Sequence, residues 1–217
     1  ANQFSAEEKL KWGLITGPRV FPRPGVPPNQ AIEYLRLDAD IMNFVDFMAA
    51  FSSAGTFETN SSSEMLRDAI YLSLKTISTD MPYDLSRANW INRFNQVDSI
   101  PPLDDFKINW RNSADRIIIV FTDEEDQSFL DPELQEGPLI RALEASPDTK
   151  LYVFTDFYYI RQWRPFTHAT GGDVFTLTTN AEEMYNDLMS ILDEICLPDD
   201  QSTSHQSSHD YALASFW

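Results

Sequence analysis

The chain has 217 residues, of which 42% are hydrophobic and 13% aromatic, enough for a full core and too many for a chain disordered throughout. Its 34 acidic and 16 basic residues give a formal net charge of −18, which makes phosphate backbones and anionic bilayer surfaces poor partners and favours cations and basic protein patches. A single cysteine, Cys196, excludes an intrachain disulfide, and no apolar run is long enough to span a bilayer.

The opening Ala1–Ser5 carries no signal-peptide pattern and reads as the interior of a longer product. Residues 2–11 are polar, with Phe4 and Leu10 spaced for a helix. They lead into Trp12–Thr16, an apolar, β-branched stretch expected to be a buried strand ending at Gly17-Pro18. Pro22, Pro24, Pro27 and Pro28 then impose an extended loop. Tyr34–Leu37 alternates as a short strand. Asn43–Phe51 places Phe44, Val45, Phe47, Met48 and Phe51 on a helical face.

A hydroxyl-rich loop, Ser52–Ser63, precedes an expected amphipathic helix over Glu64–Ile77, with Leu66, Ala69, Ile70, Leu74 and Ile77 on one face and a serine as its cap. Residues 79–114 carry Pro82, Pro101 and Pro102 and read as an irregular insertion with one short helix around Arg87–Phe94. Arg116–Phe121 is the clearest strand, an unbroken β-branched run that implies burial on both faces of a parallel sheet. Leu134–Ala145 is expected to be a helix, Lys150–Phe154 and Asp173–Leu177 strands, and Ala181–Ile195 the last helix. Residues 1–198 form one domain on this reading, and 199–217 a Ser/His-rich tail. Alternating strands and helices predict an α/β fold with a doubly wound, mainly parallel sheet.

In such sheets ligands bind just beyond the carboxyl ends of the strands. Two strands here end in the same four letters, Val120-Phe121-Thr122-Asp123 and Val153-Phe154-Thr155-Asp156, so each delivers a carboxylate to that edge. The first continues as Glu124-Glu125-Asp126-Gln127-Ser128, a run of the oxygen donors that hard divalent cations prefer. An acidic run in a loop is as readily a solvated surface, and hydroxyls before a helix are more often caps than ligands. The tryptophans Trp12, Trp90, Trp110 and Trp163 read as core or loop anchors, His168 as a loop residue and Cys196 as structural.

Three stretches together resemble a von Willebrand factor A domain: Arg116–Ser128, Ala169–Phe175 with its Gly171-Gly172 pair, and the hydroxyl-rich loop feeding the Glu64–Ile77 helix. The likeness covers residues 5–197, and the Thr122–Ser128 wording is nearest to bacterial cell-envelope members. The resemblance implies a non-enzymatic protein-binding or adhesion module, extracellular or in the cell envelope, whose partner completes the coordination of a divalent ion (Mg²⁺, Ca²⁺ or Mn²⁺) at a metal-ion-dependent adhesion site. Matched motif to motif, Asp123 is the aspartate of the third metal loop and Thr59 or Glu58 the second-loop ligand, with Asp126 in or beside the coordination sphere.

The family's opening strand with Asp-x-Ser-x-Ser does not precede Trp12. Asp200-Gln201-Ser202-Thr203-Ser204 fits those letters, but a serine-rich tail produces such a match by chance. The expectation is therefore a sheet lacking its first, central strand and a metal site incomplete in this chain. A separate segment, from a cleaved N-terminal piece or another subunit, would fill the slot by strand addition. The Tyr211–Trp217 tail is the second candidate. Two rival functions stand beside the binding module. One is a structural subunit without metal; the other is a metal-dependent hydrolase or phosphotransferase with Asp123 as nucleophile or ligand and Asp156 its partner. No phosphate-cradling glycine loop or nucleophile elbow supports the last.

Overall fold

The computed structural model describes residues 10–20, 33–54, 65–90, 103, 106–112, 114–196 and 208–215. The Trp12–Thr16 stretch lies inside β1 (Leu10–Val20), which pairs antiparallel with β2 (Glu33–Met42). Asn43 then opens α1 (Phe44–Ala54): its carbonyl accepts from Phe47 N–H at 3.0 Å and its side chain from Asp46 N–H at 2.9 Å, the bonds of a good N-cap. Helix α2 spans Leu66–Leu74, ending a turn earlier than the sequence predicts because Ile77 N–H closes a tight turn on Leu74 O at 2.9 Å.

In the 79–114 region, Leu85–Arg87 forms a 3₁₀ turn capped by the Asp84 side chain, and β3 (Asn89–Trp90) pairs antiparallel with β5 (Leu130–Asp131). The helix expected around Arg87–Phe94 is therefore a turn and a short strand as far as Trp90; Ile91–Phe94 lie outside the described residues. The remaining elements are β4 (Ala114–Thr122), α3 (Glu136–Glu144), β6 (Thr149–Thr155), α4 (Ile160–His168), β7 (Val174–Thr176), α5 (Ala181–Cys196) and β8 (Ser208–Ser215). Among the described residues no helix is long and apolar enough to cross a membrane.

The six-stranded sheet has the order β2-β1-β8-β4-β6-β7, parallel except at β2. Alternation within one strand serves both faces. Ile117, Ile119 and Phe121 of β4 join Tyr152 and Phe154 of β6 beneath Ile191 of α5, while Ile118 and Val120 join Leu151 and Val153 beneath α2, α3 and α4. Each such residue is almost fully buried, which stabilises the fold by about 1.5–3 kcal/mol per side chain. A smaller cluster of Leu14, Ala39 and Phe47 seats α1 on the β1–β2 end. The result is an α/β sandwich with a parallel sheet between helices.

Two differences from the sequence reading have physical causes. Helix α4 was unanticipated because Pro165 sits inside it and its exposed side is Arg/Gln-rich; Trp163, Phe166 and Thr167 are nonetheless its buried face. His168 is accordingly the last residue of a helix, where a loop was expected. The central slot, expected to be filled by a separate segment with the Tyr211–Trp217 tail as second candidate, is filled by β8, from the same chain. Its residues align in parallel with β1 from Leu10↔His209 to Thr16↔Ser215, and with β4 from Ala114↔Ser208 to Phe121↔Ser215. Ser208–Ser215 carries no β-branched residue, so the sequence offers no strand signal there. Tyr211–Ser215 of the second-candidate tail fall within β8; Phe216 and Trp217 lie outside the described residues.

Candidate functional site

The duplicated tetrads become neighbours. β4 and β6 pair in parallel and in register, Val120↔Val153, Phe121↔Phe154 and Thr122↔Thr155, so Asp123 and Asp156 leave the sheet side by side. Adjacent strands lie about 4.8 Å apart, so the two residues leave neighbouring strand ends. Below them the rings of Phe121, Phe154 and Phe175 stack across three strands, with centroids 4.8 and 5.0 Å apart and planes 15° and 18° from parallel. Thr122 and Thr155 are fully buried; Thr122 Oγ1 accepts from Glu124 N–H at 3.0 Å, and Thr155 Oγ1 has no hydrogen-bond partner among the described residues.

The acidic run after β4 divides into an outward and an inward part. Asp123 and Glu125 are exposed and Glu124 is half-buried, whereas Asp126 turns in and is 8% exposed. Burial and then the neighbouring charges of Asp123 and Glu125 raise the Glu124 carboxyl above its usual range. Tyr159, on the loop leading into α4, reads the same field. Its hydroxyl is pushed up by burial and then by the charges of Glu124, Glu125, Asp156 and Asp123. The charges of four carboxylates thus act on one phenol, and none of the four has an ion pair among the described residues. Asp156 Oδ1 accepts from Tyr158 N–H at 3.0 Å, and the neighbouring Phe157 and Tyr158 are 71% and 83% exposed.

The inward part is a clamp. Arg67 Nε donates to Asp126 Oδ2 at 2.8 Å and its Nη2 lies 2.7 Å from the same oxygen. Its Nη1 reaches Leu134 O at 3.2 Å and Glu133 Oε1 at 3.3 Å, so the guanidinium fork holds both ends of the loop from Asp126 to Leu134. Beside it, Asp68 is wholly buried and accepts from Ser128 Oγ and from Phe129 N–H, both at 2.6 Å. Burial pushes the Asp68 carboxyl up to about 7, opposed by those two hydrogen bonds and by Arg67. Arg67 N–H also donates to Gln127 O at 3.0 Å, so the loop satisfies one of the free N–H groups at the start of α2, where Met65 supplies no side-chain cap.

No family model, curated protein or solved structure matches this chain.

Of the four residues expected to bind metal, Asp123 stands exposed on the rim, while Asp126 is committed to Arg67 and faces away from solvent. Glu58 and Thr59 lie outside the described residues. Among the described residues no three His, Cys, Asp or Glu side chains are gathered closely enough to hold an ion, so those residues do not form a cation cage on their own. The sequence reading missed Arg67 and Asp68, and a signal for them existed. Every residue from Leu66 to Leu74 is buried, and a helix whose Met65, Leu66, Ala69, Ile70, Tyr71, Leu72 and Leu74 cover all sides has no solvated face for adjacent charges. Such charges require partners.

Proposed function

We propose that this chain is a non-enzymatic, protein-binding module of von Willebrand factor A type that meets its partner at the carboxyl-end rim of the sheet. The observation that carries the reading is the parallel, in-register pairing of β4 and β6, which brings the acidic residues Asp123, Glu124, Glu125 and Asp156 to one rim of the sheet, without an ion pair among the described residues. Their mutual repulsion is relieved by any cation placed among them, and the exposed Phe157 and Tyr158 beside them offer ring faces to a guanidinium or ammonium group.

Two cations suit the rim. A lysine- or arginine-bearing segment of a partner matches the four charges directly. A divalent ion at Asp123, with donors from Glu58 or Thr59, is what the family resemblance favours, and the exposed carboxylate of Asp123 is the observation in its support. The module belongs, on the same resemblance, outside the cytoplasm or in a cell envelope.

One set of melts tests the proposal. Thermal unfolding is followed alone, with MgCl₂ or MnCl₂, with EDTA, and with an oligo-lysine peptide, for the wild type and for Asp123→Ala and Asp156→Asn. A metal shift lost in Asp123→Ala supports the ion-bridged form, and an oligo-lysine shift weakened in both variants supports direct contact. Equal responses of wild type and both variants to every addition would overturn the rim as the binding face.

A further inference from the structure

β8 enters the sheet unlike any other strand. It lies in the middle, yet it comes last in the chain, and the strands on either side of it, β1 and β4, are not paired with each other. The sheet is therefore two pieces, β2-β1 and β4-β6-β7, joined through β8. Its attachment to the rest of the chain is generous: eleven residues, 197–207, separate the end of α5 from Ser208. Twelve Cα steps reach about 40 Å when extended, whereas α5 ends beside the start of β6, where Glu194 pairs with Lys150, two strand spacings across and one layer away from β8, about 14 Å in all. The segment 199–209 is rich in serine and carries Asp, Gln and His but no large apolar residue. A strand held by ladder bonds on both sides and by a long connection makes the same bonds in any copy of the slot.

We propose that β8 is an exchangeable strand, and that the groove between β1 and β4 is a strand-accepting surface whose second occupant is the β8 segment of another copy of this chain. The exchanged dimer keeps every backbone bond of the monomer and differs only in the path of residues 197–207. Leaving the central slot breaks two ladders at once, so exchange requires substantial unfolding and is slow in the native state. Its partition is set by protein concentration at the moment of folding.

The test uses the full chain. Unlabelled and ¹⁵N-labelled protein are unfolded together, refolded at micromolar and at near-millimolar concentration, and weighed by native mass spectrometry. The expected result is monomer at the low concentration and light, heavy and mixed dimers at the high one, with the dimers surviving 100-fold dilution for hours. Separately folded light and heavy dimers should not mix on that timescale. A variant lacking residues 199–207 keeps two connecting residues, with a reach of about 10 Å, shorter than the span the monomer needs, and should raise the dimer fraction severalfold at equal concentration. Monomer at every concentration, dimers that fall apart promptly on dilution, mixing without unfolding, or an unchanged dimer fraction in the shortened variant would each overturn the proposal.

Discussion

At the scale of single residues, Arg67 and Asp68 decide the shape of the rim loop. Removing one partner of a buried ion pair costs about 3–5 kcal/mol, because the other charge is left desolvated. Arg67→Leu should therefore lower the unfolding free energy measured in urea by that margin and leave Asp126 seeking solvent, whereas Asp123→Ala, on the exposed side of the same run, should change it by less than about 0.5 kcal/mol. Asp68 carries a pH signature. Its carboxyl is raised from 3.8 to about 7, so between those values the folded chain holds a proton that the unfolded chain has lost. Its contribution to stability is then present in full below about pH 4 and lost as the pH climbs to about 7. Asp68→Asn, which keeps the shape and stays neutral, removes that slope. The difference in unfolding free energy between wild type and Asp68→Asn should move in the variant's favour from pH 4 to 7 and flatten above; a difference independent of pH would contradict the burial argument.

At the scale of elements, the β6–β7 connection and the ring row are the places where small changes cost most. A Cβ on Gly172 would lie 1.9 Å from the carbonyl oxygen of Leu151, a backbone atom of β6 that cannot move without breaking the register, so Gly172→Ala should destabilise by about 1–3 kcal/mol in chemical denaturation. Gly171, with φ at +70°, makes the turn that brings Gly172 there. Phe154 sits between Phe121 and Phe175, and Phe154→Ala should cost about 3–5 kcal/mol, more than Phe175→Ala at the row's half-exposed end. Much at this scale was legible in the sequence. Ile117–Val120 identified β4 because β-branched residues on successive positions suit a strand covered on both faces, and the repeated Val-Phe-Thr-Asp pointed to two equivalent strand ends. What the letters did not carry was pairing: nothing in either tetrad says that β4 and β6 are adjacent and in register. Helix α4 was hidden by Pro165, and the partners of Asp126 were hidden because an acidic run reads as solvent-facing until the buried arginine opposite it is placed.

At the scale of the whole molecule, the excess of 34 acidic over 16 basic residues makes self-repulsion a general load on the compact state. Raising NaCl from about 10 mM, where charges are felt over about 30 Å, to about 150 mM, where they are felt over about 8 Å, should therefore increase the melting temperature, and no increase would mean that local ion pairs offset the excess. The α/β class was legible from the alternation of elements, and the central role of a strand beside β1 and β4 was legible from the gap. The filling of that gap was legible only as the second candidate, the Tyr211–Trp217 tail, because Ser208–Ser215 owes its place to two waiting ladder edges rather than to any strand preference of its own. Long-range pairing of this kind is written in the neighbours.

The stacked phenyl rings under the rim have one more effect. Hydrocarbon polarises weakly, so the field of Asp123 and Asp156 cannot spread downward into the body and is driven out into the water above them. An approaching positive group is drawn in from farther away than the same two acids would manage on an open, wetted surface, which means the hydrophobic interior of this protein helps to set the speed at which its most polar edge is found.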